Sequence, residues 1–164
     1  MNNRSIDWAA LLLRVGVGLI FIPHGFSKVF GSGGVAAFAQ DIPAFGLPAF
    51  LGYVAAYSEM FGAILLIAGL FTRLDAVLLA CTMTVAVLFV CLPDVLHDPQ
   101  RNTGLFFAVM HAAELPICLF GASTALAILG PGRFSLDALL RIEQRVAARL
   151  RRRGNTGVSA IPAR

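Results

Sequence analysis

The sequence predicts an all-α integral membrane protein: a bundle of four transmembrane helices followed by a C-terminal amphipathic helix at the interface. Three observations lead there. Of the 164 residues, 58% are hydrophobic and only 13% are charged, about half the roughly 25% of an ordinary soluble domain. The mean hydropathy is +0.80. The apolar residues gather into four long runs, and about 20 residues of helix cross a ~30 Å hydrocarbon core. This composition excludes a disordered chain and leaves too few charges to coat a soluble enzyme. The in–out alternation of a spanning β-strand is absent from the runs.

The first run, about 8–30, is apolar apart from Arg14, His24, Ser27 and Lys28. Arg14 near its start, and the lack of a small-residue cleavage site before His24, favour a retained helix over a signal peptide. The second run, 50–71, carries a single charge, Glu59, and the third, 74–92, carries Asp75 in its first turn. The fourth, 104–129, contains His111 and Glu114. The short Thr72–Asp75 turn makes runs two and three an antiparallel hairpin. Residues Pro93–Thr103 read as a polar, turn-rich loop. The segment Gly31–Pro48 opens on Gly-Ser-Gly-Gly and then turns apolar, so it is expected to lie in the interface or fold over the bundle as a short helix.

The chain divides into a transmembrane domain (1–133), a basic amphipathic helix (134–153) and a disordered tail (154–164). Ser135 is placed to cap the amphipathic helix, with Asp137 in its first turn. Leu136, Leu139, Leu140, Val146 and Leu150 recur at helical spacing, with Arg141, Arg145, Arg149 and Arg152 mostly off that stripe. Such a helix binds anionic lipid head groups rather than nucleic acid. Lys and Arg crowd the side holding both termini and Arg73, while the other side offers Arg101 and Lys28. Both termini are therefore expected in the cytoplasm.

Chemistry is expected from the ionisable residues inside the spans. At roughly 100° per residue, Lys28 lies about 40° and His24 about 80° from Arg14, so the three share a face of helix one. His111 and Glu114, three apart, share a face of helix four. Isolated charges in hydrocarbon are costly, so Arg14, His24, Lys28, Glu59, His111 and Glu114 are expected to meet in one buried polar cluster. Arg14 with Glu59 is the anticipated pair, with Glu114 or His111 in reach. The same residues serve equally as structural ion pairs, and Lys28 as a snorkelling side chain.

Other motifs are lacking. Cys81, Cys91 and Cys118 form no C-x-x-C, and Cys81 and Cys91 read as small core residues of helix three. No Cys/His set has metal spacing, and Gly31-Ser32-Gly33-Gly34 is not a phosphate loop. Gly16, Gly18, Gly25, Gly62 and Gly69 read as helix-packing points. Pro116, beside Glu114, predicts a kink with room for water or a ligand.

Leu13-Arg14, Gly18, Phe21, His24-Gly25 and Lys28-Val29-Phe30 together resemble the opening helix of the DoxX family of small four-helix membrane proteins. Glu59, Gly62 and Leu65–Arg73 are similar to its second-helix signature, and Glu114 with Gly130–Asp137 to its closing pattern. The resemblance runs from about Leu11 to Asp137. It implies a bacterial inner-membrane protein linked to quinone or thiosulfate redox chemistry or to oxidative-stress defence. A quinone would then be substrate rather than bound cofactor, since the chain has no cofactor motif, and electrons would come from a redox enzyme partner. Two other readings fit the same features: a non-catalytic scaffold for a cytoplasmic enzyme, and a small oligomeric transporter.

Overall fold

The computed structural model describes residues 3–97 and 104–140. The tail arginines from Arg141 onward, the rest of the predicted amphipathic helix and Arg101 lie outside the described residues.

Among the described residues, six helices and one 3-10 turn position the site. Helix α1 (Asn3–Phe30) crosses in one piece, with Pro23 inside it. A short helix α2 (Gly34–Asp41) and the 3-10 turn Ile42–Phe45 follow. Then come α3 (Phe50–Ala68), α4 (Thr72–His97) and α5 (Leu105–Leu129), and α6 (Leu136–Leu140) closes the described chain. Helices α1, α3, α4 and α5 are each long and apolar enough to cross a membrane. Only 22% or 33% of each span's most apolar stretch is buried within the chain. The outward-facing remainder is what a bilayer covers, so the protein is an all-α membrane bundle.

The centre is packed from all four spans by Val17, Phe21, Leu66, Leu79, Leu119 and Leu126. Close helix contacts depend on two of the predicted glycines. A methyl group on Gly18 would strike the Ile67 side chain, and one on Gly25 would lie 2.4 Å from the backbone nitrogen of Met60. Gly16 instead faces open space. Gly69 ends α3 in the left-handed region at φ 71°, where L side chains are strained.

Two expectations are corrected. The loop predicted to begin at Pro93 begins later, because α4 runs on to His97. Proline is tolerated there because it follows a π-helical stretch, Ala86–Cys91, in the first turn of the next helical segment, where its missing N–H costs little. Cys81 is exposed and Cys91 only half-buried, so neither is a core residue. Pro116 lies inside the continuous helix Leu105–Leu129.

Segment Gly31–Pro48 does fold over the bundle. Ala39 of α2 is buried against Gly52 of α3, where a methyl group would come within 2.7 Å of the Ala39 Cα.

Candidate functional site

The six predicted site residues do not form one cluster. They separate into a buried ion pair, a buried arginine at another depth, and an outward-facing group.

The ion pair joins Lys28 to Glu59. Lys28 Nζ donates to both carboxylate oxygens of Glu59, each at 2.6 Å. Glu59 is 3% exposed and Lys28 25%. Helical side chains lean toward the N-terminus, so Lys28 reaches back into the bundle instead of snorkelling outward. Glu59 lies in the π-helical turn Ser58–Gly62 of α3, a distortion that often marks functional positions. The backbone contact at Gly25 brings α1 against that turn. Lys28 Nζ also sits 5.1 Å from the centre of the Phe38 ring, so α2 roofs the pair with an aromatic face.

Arg14 does not meet Glu59. It shares a helix face with Lys28, but about 21 Å of helix separates them, and Val17 and Phe21 of the apolar core lie in between. Arg14 is fully buried and donates through Nη2 to the carbonyl of Phe134. It lies within electrostatic reach of Asp137. The Asp137 carboxylate accepts the backbone N–H of Phe71 at 2.8 Å and of Thr72 at 2.9 Å, capping α4 from the far end of the sequence. Asp75, also buried, faces the field of Asp137. Arg14 Nε and Nη1, Thr72 Oγ1 and Asp75 Oδ2 are buried without a hydrogen-bond partner among the described residues.

The three remaining predicted residues point away from both centres. His24 is exposed, and its backbone carbonyl accepts from Ser27 Oγ. His111 and Glu114 are exposed because α5 buries the opposite stripe, Ala113, Leu119, Ser123 and Leu126. Sequence reasoning missed Asp75, Thr72 and Asp137. In the sequence Asp137 looks like a residue serving its own helix dipole, but Ser135 does the local capping by accepting the N–H of Ala138. Among the described residues no group of three or more His, Cys, Asp or Glu could hold a metal ion.

The DoxX family model matches residues 9–92, which takes in Arg14, Lys28 and Glu59. The chain belongs to the DoxX family. The ion pair of this DoxX chain lies wholly inside the matched segment, whereas Asp137 lies beyond it. The chain is 43% identical over 88 residues to a Bacillus subtilis protein named "Putative oxidoreductase CatD", covering 54% of this chain and 63% of that protein. The match thus spans less than two thirds of that relative's length. It is 34% identical over 128 residues to the Escherichia coli "Inner membrane protein YphA", covering 77% of this chain and 86% of the relative. No solved structure matches.

Proposed function

We propose that this protein is a bacterial inner-membrane component of a redox system, with the Lys28–Glu59 pair as the binding point for a quinone-type molecule. The carrying observation is a buried ion pair on a π-helical turn, with Lys28 still one-quarter exposed beneath Phe38. A charge pair held at membrane depth is a functional candidate by default. The inner-membrane location follows the name of the YphA relative, and the redox role follows the name of CatD.

A quinone reaches such a site laterally through lipid. Its carbonyl oxygens accept hydrogen bonds, the Lys28 ammonium donates them, and its ring stacks beside Phe38. Reduction to the quinol takes up two electrons and two protons. Lys28 and Glu59 hold and relay the protons, and a redox enzyme partner supplies the electrons. Thiosulfate fits this position less well, because a dianion would enter hydrocarbon beside the Glu59 carboxylate. The test is titration of the protein in nanodiscs with a short-chain ubiquinone analogue, with thiosulfate as the comparison. Lys28→Met should weaken quinone binding about tenfold or more, the scale of a lost charge-assisted hydrogen bond. Unchanged binding in Lys28→Met, or binding of thiosulfate alone, overturns the assignment.

A further inference from the structure

Two ionisable residues on α5 lie at membrane depth on the outside of the bundle. Glu114 stands about 13 Å along the helix from Leu105, well inside a 25-residue span. Glu114 and His111 are exposed, and neither has a hydrogen-bond or ion-pair partner among the described residues. The bundle provides Glu59 with Lys28, whereas no described residue pairs with Glu114. Lipid tails offer no hydrogen bond, and intramembrane carboxylates face protein or water rather than hydrocarbon.

The surface beside these residues is shaped for a helix. An apolar groove of about 450 Å³ runs between α1 and α5, lined by Leu12, Gly16, Ile20, Leu115, Cys118 and Ala122. Methyl groups on Gly16 or Gly121 would touch nothing within 4 Å. Small residues of this kind let helices approach closely in membranes. His111, Glu114, Cys118 and Gly121 fall within an arc of about 80°, so the polar face joins the groove through Cys118.

We infer that the His111–Glu114 face of α5, with this groove, is the contact through which two copies of the chain pair in the membrane. Charge complementarity selects a second copy as occupant. Two copies inserted alike are related by a two-fold axis along the membrane normal, so each residue meets the opposite face at its own depth. His111 and Glu114 differ in depth by about 4.5 Å, a step these side chains span. Glu114 of one copy then accepts from the partner's His111, and the symmetry forms that bond twice. The inference is independent of the quinone reading, because it uses neither Lys28 nor Glu59.

Cys118 supplies the test. The chain carrying Cys81→Ser and Cys91→Ser, which retains Cys118, is oxidised in native membranes with copper phenanthroline. The expected product is a disulfide-linked homodimer, whereas the chain retaining Cys81 alone gives none. Glu114→Leu in the Cys118 background should lower the cross-linked fraction about three- to tenfold, the range of one or two interhelical hydrogen bonds. Glu114→Gln, which still accepts a bond, should keep most of it. Leucine suits a lipid-facing helix, and an unchanged melting temperature confirms that the variant folds. No cross-link together with a monomer mass in nanodiscs overturns the inference. So does Cys118 linked to a different protein, an equal yield from Cys81 alone, or an undiminished yield in Glu114→Leu.

Discussion

Neither Lys28 nor Glu59 is tolerable alone in hydrocarbon, and each is the other's reason for being there. Removing one member of a buried pair leaves an uncompensated charge, a loss of about 3–5 kcal/mol. Glu59→Leu should therefore destabilise by that order, read from unfolding in mixed detergent. Glu59→Gln should lose less, since the amide oxygen still accepts from the Lys28 ammonium. The double change Lys28→Met with Glu59→Leu should recover much of the loss, because no bare charge remains. Additive losses in the double variant would refute the pairing. At this scale the sequence revealed which residues are costly and which face of α1 they share. It did not reveal their partners. Arg14 and Lys28 align on one face, but about 21 Å of rise puts them in different neighbourhoods, and angular periodicity carries no information about depth in the facing helix.

Among the elements, the hairpin between α3 and α4 depends on a residue 65 positions beyond Thr72. Phe71 adopts φ 52°, the one positive-φ residue other than glycine among the described residues. Asp137 holds its N–H and that of Thr72, satisfying two free amides at the start of α4 and fixing a conformation that costs about 1–3 kcal/mol. The Asp137 backbone N–H in turn donates to the Gly69 carbonyl at 2.8 Å. Asp137→Ala should destabilise by about 1.5–3 kcal/mol, the value of hydrogen bonds to a charged group. Asp137→Asn should retain part, because its amide oxygen still accepts one of the two bonds. Thermal unfolding in detergent separates them, and equal midpoints for Ala and wild type would remove the cap from the account. The Ser135 cap was legible from a local pattern. The Asp137 cap was not, because a carboxylate that bonds a distant helix looks in sequence like one that serves its own.

For the whole molecule, the excess of Lys and Arg on one side gives an orientation that reporter fusions can check. A fusion after Asn155 should behave as cytoplasmic, and a periplasmic readout would invert the topology. The membrane assignment, the four spans and the α3–α4 hairpin were determined by sequence alone, whereas for the first loop sequence left open an interfacial segment or a helix over the bundle. Hydrophobic length is a sum over neighbouring residues, and lipid imposes its cost residue by residue without regard to fold. The tertiary structure alone decided that Glu59 meets Lys28, that Arg14 meets the Phe134 carbonyl, and that His111 and Glu114 face outward. Those outcomes depend on the stagger between helices, set by contacts such as Gly25 against the Met60 backbone. A hydrogen bond acts over about 3 Å, so a shift of one helical turn between neighbours changes which charges meet while leaving every span equally apolar.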